Sequence, residues 1–303
     1  MATAVNQIPQ YFTTEFSSNW EHLLQQKVSK LKEYVSVESV RGKEKSFNQM
    51  GAVEMTKITS RAADTNISDV ALAKRWLRPY PYEHATLFDE WDSEYLGEVS
   101  LPQSETVANH ANAYARTADK VIIDAALGTA YTGETGVTAT ALPAGQQIAV
   151  DYVETGAAAD SGLTIAKLRQ AAFLLTNSEV DDSDPRIMVV SAKQIQDLLR
   201  TTEVTSGDFN TVRALVAGEI NTFLGFTFRR VASSLLPYNA GTGVRSCFAY
   251  VKSGLKLADA GRKVHVDIRA DKSHSLQIRT VVSLGATRMQ EAKVVEVPCD
   301  EVL

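Results

Sequence analysis

The chain reads as an α+β protein, and three observations carry that reading. About 26 residues from Leu101-Pro102 onward repeat apolar residues at helical spacing, the middle of the chain alternates short capped helices with apolar strands, and the C-terminal part switches to a period of two. Helices and strands mix without a regular βαβ repeat, which argues against a doubly wound parallel sheet. With 303 residues, 44% of them hydrophobic and 22% charged, the chain has the material for one large domain or two ordinary ones.

Each element has a local reason. Thr13 or Thr14 is placed to cap a helix to about Lys27, with Phe16, Trp20, Leu23 and Leu24 on one stripe; that stripe docks either on its own domain or on a neighbour. From Tyr34 to Thr59, Val35, Val37 and Val40 alternate with polar residues before Gly42 and Gly51, which predicts an extended hairpin with little core. The helix opened by Leu101-Pro102 carries Val107, Ala111, Tyr114, Ala118, Val121, Ile122 and Ala125 and stops at Gly128. At 1.5 Å per residue it is about 40 Å long.

Residues 131–162 are rich in Gly, Ala and Thr and read as a connection with a short strand near Ile148 to Val153. A helix follows from about Leu163 to Asn177, with Leu168, Ala172 and Leu175 inward, then an acidic turn and the strand Ile187 to Val190. Ser191 is placed to cap a helix bearing Ile195, Leu198 and Leu199. Phe248 to Val251 reads as a strand, and Ser253 as the cap of a short helix with Leu255 and Leu257. Val264, Val266 and Ile268 then alternate with His265, Asp267 and Arg269, and strands are predicted near Leu276 to Leu284 and Val294 to Val297.

The net charge of -5 argues against a protein that grips nucleic acid through a global basic field. Charge is nevertheless segregated. Between Lys27 and Arg78 basic residues outnumber acids, and immediately afterwards Glu83, Asp89, Glu90, Asp92, Glu94 and Glu98 form an acidic stretch with no Lys or Arg. The reversal predicts a subunit contact in which Arg41, Lys43, Lys45, Arg61, Lys74, Arg75 and Trp76 of one copy meet Glu90, Asp92 and Glu94 of another. The competing reading is two solvated charge runs. The aromatics Trp76, Tyr80, Tyr82 and Trp91 beside Arg75 and Arg78 suit either an interface or a stack on single-stranded nucleic acid, and the acidic surroundings favour the interface.

Catalytic signatures are missing. No phosphate loop and no nucleophile elbow occurs, and Ser253 lacks the glycine that would precede such an elbow. The five histidines follow no metal spacing; His265, Asp267, Asp271 and His274 share one hairpin but read as a solvated face, and Glu179, Asp181, Asp182 and Asp184 lack the glycine of a calcium loop. Cys247 and Cys299 form no CxxC pair, and no apolar run has the length of a membrane helix. The expectation is a soluble, unexported protein without cofactor, metal or enzymatic activity.

Several ordered segments resemble the major capsid proteins of tailed bacteriophages: GLTIAKLR at 162–169, TTEVTSGDFNTVRALVAGEINTFLGFTF at 201–228, SGLKLA at 253–258 and DKSHSLQIRTVVSLGATRMQEAKVVEV at 271–297. SVESVRGKEKSF and SRAADT at 60–65 resemble that family's extended loop, and LGTAYTGETG at 127–136 its junction after the long helix. The resemblance implies the Hong Kong 97 type of fold: an N-terminal arm at 1–33, an E-loop hairpin at 34–80, a peripheral domain with a long spine helix at 81–150 and 262–303, and an axial domain at 151–261. It also implies pentamers and hexamers closing an icosahedral shell around double-stranded DNA in the host cytoplasm, with scaffolding protein and portal as partners and no membrane. Two alternatives remain at this point. One is an encapsulin-like compartment around protein cargo, and the other is an enzyme with an unrecognised site.

Overall fold

The computed structural model describes residues 25–61, 64–65, 67–89, 103–181, 183–200 and 222–302. Strands β1 (Ser36–Glu38), β2 (Lys45–Met50), β3 (Leu72–Leu77) and β4 (Tyr80–Phe88) precede helix α1 (Gln103–Leu127). Then come β5 (Ala130–Thr132), β6 (Thr138–Thr140), α2 (Ile165–Asn177), β7 (Arg186–Val190) and α3 (Ala192–Arg200). The C-terminal part adds β8 (Thr222–Phe223), β9 (Phe226–Arg230), β10 (Tyr238–Asn239), β11 (Val244–Val251), β12 (Leu255–Arg269), β13 (Ser275–Arg288) and β14 (Val294–Asp300).

The core grows around β11. This strand pairs with β14 along one edge and with β7 and β10 along the other, while β7 runs parallel to β9. Ile187, Met188, Val189 and Val190 are buried on both faces, which is why this strand is a continuous apolar run rather than an alternating one. Helix α2 covers the sheet with Leu168, Ala171 and Leu175. Thr164 caps it, its side chain accepting from the Lys167 N–H at 3.3 Å. At the start of α3 the bonds run the other way: Gln194 Oε1 accepts both the Ser191 N–H and its hydroxyl proton, the back half of a capping box.

Two further sheets flank this core. One has the order β1-β12-β13-β4, with α1 laid over β13 against Ile278, Val282 and Leu284; the other, β2-β3-β5-β6, carries the ribbon that leaves the subunit. Helix α1 buries Ala115, Ala118, Ile122, Ile123 and Ala126, so its inward face lies about one position from the expected stripe, and Val121 and Ala125 sit at its margin. Arg288, fully buried, closes its C-terminal end: Nη1 donates to Ala126 O at 2.8 Å and Gly128 O at 2.9 Å, and Nη2 to Thr140 O at 3.2 Å. A guanidinium therefore supplies the donors that the last helical carbonyls lack.

Four sequence expectations need correction. The short helix after Ser253 is a single 3₁₀ turn, and Leu255 and Leu257 begin β12, buried on one face by a period of two. No strand forms over 148–153; Ile148 is buried and its N–H donates to Glu296 O at 3.0 Å, while the hairpin β5–β6 forms earlier in that connection. The extended hairpin does not lie within 34–59: β1 joins β12 in parallel, and the return strand for β2 is β3, beyond Leu72. The helix expected to reach Lys27 has its first part outside the described residues, and Gln25 to Lys27 are not helical. Strand β14 hydrogen-bonds along β11 from Val294 to Asp300.

Candidate assembly interface

The ribbon β2–β3 holds register from Lys45↔Leu77 to Met50↔Leu72, and beyond the Gly51 N–H to Ala71 O bond of 2.8 Å the chain to residue 71 has no strand among the described residues. Along this stretch Met50, Val53, Met55, Ile58, Ile67 and Leu72 are between 62% and 102% exposed. Leaving a large apolar side chain in water forfeits about 1.5–3 kcal/mol. Six in one segment form a patch that calls for a cover from outside the subunit.

The base of the ribbon is rigid. Trp76 Nε1 donates to Gly133 O at 2.7 Å, and its ring lies so close over Gly136 that a Cβ there would sit 2.8 Å away; with φ at +71, only glycine suits that position. Arg78 donates to Glu44 Oε2 at 3.0 Å and Gly136 O at 2.9 Å, with its guanidinium over the Tyr131 ring. Arg75 is buried, Nη1 lying 2.8 Å from Glu291 Oε1 and Nη2 donating to Oε2 at 2.9 Å. Arg288 approaches the same carboxylate at 3.9 Å, so one acid separates two buried guanidinium groups. Burial weakens the hold of Arg288 on its proton, and Glu291 partly offsets this.

Of the residues the sequence singled out, Arg41, Lys43 and Arg61 are exposed and have no partner among the described residues. Lys45 instead pairs with Glu38 at 2.8 Å; Lys256 meets the same carboxylate at 2.7 Å, and both ammonium groups lie over the Phe47 ring. Hydrogen bonds from Lys256 and then Lys45 hold the Glu38 carboxyl below the usual range. Lys74 is half-buried on β3 opposite Asn48. Arg75 and Trp76 are engaged inside their own chain, while Glu90, Asp92 and Glu94 lie outside the described residues.

Sequence reasoning missed how residues 26–32 are fastened to α1. Asp119, fully buried on α1, accepts from Gln26 Nε2 at 2.5 Å, Ser29 Oγ at 2.5 Å, Lys30 N at 3.0 Å and Leu31 N at 3.1 Å. Nearby, Lys32 Nζ and the Tyr114 hydroxyl both donate to Asp259 Oδ2, at 2.5 and 2.6 Å. Burial alone would raise the Asp259 carboxyl, but the bonds from Lys32, Tyr114 and the Gly261 N–H outweigh it and hold it below its ordinary value. The available signal was an acid, Asp119, i+4 from Ala115 and between Ala118 and Ile122 on the inward face of the helix.

No reaction centre emerges from this geometry. Among the described residues no group of three or more His, Cys, Asp and Glu is placed to hold a metal ion, and no helix is long and apolar enough to cross a membrane. His265 and Asp267 project from an exposed part of β12, and Asp271 is tied to Arg269. Ser253 donates to Asp184 Oδ2 at 2.8 Å and accepts from Lys293 at 3.0 Å, an arrangement that fastens a turn.

The family model described as phage capsid protein matches residues 8–301, nearly the whole chain. The chain belongs to the phage capsid protein family. The capsid of Ralstonia phage GP4 superposes with a TM-score of 0.71 at 9% identity, covering 99% of this chain and 98% of that one. The Cyanophage Pam1 capsid asymmetric unit gives 0.70 at 12% identity, with 99% of each chain covered. A structure described as Mycobacterium phage Che8 gives 0.66 at 18% identity, covering 95% of this chain and 97% of that one. No curated protein sequence matches. The protein is a structural subunit of a bacteriophage icosahedral capsid with the Hong Kong 97 type of fold and resides in the virion; a compartment around protein cargo is not favoured.

Proposed function

We propose that this capsid subunit assembles as pentamers and hexamers into a shell around double-stranded DNA, and that the ribbon tip is completed only by a neighbouring copy. The six exposed apolar side chains between Met50 and Leu72 carry this reading, because a stable subunit does not otherwise leave such a stretch in water. Arg41 and Lys43, exposed at the foot of the ribbon, meet the acidic segment with Glu90, Asp92 and Glu94 on that neighbour and fix its orientation more than its affinity. In this reading residues 1–33 form the arm, 34–80 the E-loop, 81–150 with 262–303 the peripheral domain, and 151–261 the axial domain, with β14 paired to β11 across the two. Assembly takes place in the host cytoplasm with scaffolding protein and portal, and the enclosed DNA is held without sequence-specific contacts. The acidic balance of the chain suits a wall past which packaged DNA slides.

The variant Arg41→Glu with Lys43→Glu tests the contact. Lys45 is left in place, because reversing it would set a second carboxylate beside Glu38. The expected outcome is an unchanged unfolding curve for the dilute subunit together with slower particle formation that is less sensitive to salt than that of the parent, measured by light scattering. Parent-like assembly of the variant at low ionic strength refutes the charge contact. Particles that carry protein cargo and no nucleic acid refute the enclosed genome.

A further inference from the structure

The sheet β1-β12-β13-β4 has two open edges. On its outer side β12 is covered only at Lys256 to Ala258, by the three residues of β1. Past a bulge between Asp259 and Arg262 the strand runs on to Arg269 with no outer partner among the described residues, exposed on both faces from Ala260 to Ile268. The other edge is β4, which pairs with β13 alone among the described residues. A long free edge with exposed valine and isoleucine beside it is a template for another strand.

We infer that β12 of one copy pairs head-to-tail with β4 of a second copy, so that the sheet continues from subunit to subunit; this deepens the shell reading above and rests on it. Charge selects the occupant. The free part of β12 carries Arg262, Lys263 and Arg269 against Asp267 alone, whereas Tyr80 to Asp89 carries Glu83 and Asp89 and no Lys or Arg. Two copies of β12 facing each other in antiparallel register would set Arg262 against Arg269, like charge against like. Within one copy β12 and β4 both run antiparallel to β13 and therefore point the same way, so a neighbour that simply extends the sheet brings its β4 in parallel.

One parallel register satisfies both ends. It puts Lys263 opposite Glu83 and Arg269, which Asp271 of its own copy already holds, opposite Asp89, since six residues separate each pair in the sequence. The same register sets Val264, Val266 and Ile268 beside His84, Thr86 and Phe88, and within the subunit both rows lie on the face that α1 covers, because they share partners at Thr280, Ile278 and Leu276. Polar rows and apolar rows therefore match across the junction without a flip. Glu83, which meets Arg279 of its own copy at 2.5 Å, keeps an exposed carboxylate that Lys263 joins. A head-to-tail contact of this kind closes rings.

The test is a zero-length carbodiimide crosslink on the full chain, with ¹⁴N- and ¹⁵N-labelled subunits mixed before association and the peptides read by mass spectrometry. Mixed-label links between Lys263 and Glu83 are expected. In the variant Val266→Lys with Ile268→Lys, which adds charge to an exposed edge, those links fall about tenfold or more while the subunit unfolds as the parent does. Lysine at the exposed Val137, far from this edge, is the control and leaves the links unchanged. Single-label links only, or mixed-label links from Lys263 to acids elsewhere in the chain, overturn the pairing. The readout is taken on whatever the subunits associate into, which separates the two readings. Associated chains with the mixed link but no closed shell keep this inference and sink the shell, and shells without the link do the reverse.

Discussion

The sheet around β11 and the ribbon β2–β3 draw on similar apolar side chains and place them in opposite relation to water. In the sheet, Phe226, Phe248, Tyr250 and Val294 are sealed, and every strand is paired or covered. In the ribbon, Met55 and Ile58 are more than four-fifths exposed, and beyond Arg75, where the pairing with β5 ends, the two-stranded ladder β2–β3 continues without a third strand among the described residues. A two-stranded ladder without a covered face is marginal by itself. The lesson is that this capsid subunit divides its apolar surface between a share that folds the chain and a share that stands outside the finished core, which the proposed assembly assigns to joining chains.

Substitutions should separate the two shares. The largest effect is expected in the sheet, where Phe248→Ala removes a fully buried ring and lowers unfolding stability by about 3–5 kcal/mol, read by denaturant titration of the dilute subunit. A midpoint equal to that of the parent would break the contrast from the core side.

An intermediate effect is expected where Lys32 and Tyr114 of α1 meet Asp259. The Asp259 carboxyl is held below its ordinary value of 3.8 in the folded state, so its contribution to stability is present above that pH and is lost as the pH falls through the lowered value. Asp259→Asn should therefore be less stable than the parent near neutrality, with the gap narrowing in acid. A gap that widens on acidification would show the sign to be wrong.

The smallest effect on folding belongs to the ribbon tip. Met55→Ser with Ile58→Ser should change subunit stability by no more than about 0.5 kcal/mol and still cut the yield of particles, as seen by negative-stain microscopy. If the same variant destabilised the dilute subunit strongly, the tip would belong to the core after all.

Much of the scaffold was legible because it obeys local rules. The spine helix, the run Ile187 to Val190 and the serine cap before α3 were each written in periodicity or capping chemistry. Misreadings arose where distant partners decide. Leu255 and Leu257 look equally suited to a short helix after Ser253, and β13 and β1 on either side select the strand. Arg75 and Trp76 look like surface anchors until Glu291 and Gly133, far along the chain, bury one and fix the other. The inward face of α1 was displaced because Asp119 counts as polar in any pattern, yet it is sealed beneath the backbone of Lys30 and Leu31. Of the residues proposed for the interface, Arg41 and Lys43 stand out in the sequence by their charge, whereas the apolar tip drew no notice because its side chains follow no period.

The position of β14 has a consequence for synthesis. Leu31 and Val35 near one end of the chain share a core with Val294, Val295 and Val297 near the other, and the Asp300 N–H donates to Ser161 O at 3.0 Å. A nascent polypeptide on the ribosome therefore has its ribbon and spine translated well before the strand that seals the subunit emerges. Such long-range closure is slow relative to local helix formation. Translation order thus keeps the core of a half-made protomer open until β14 has been made.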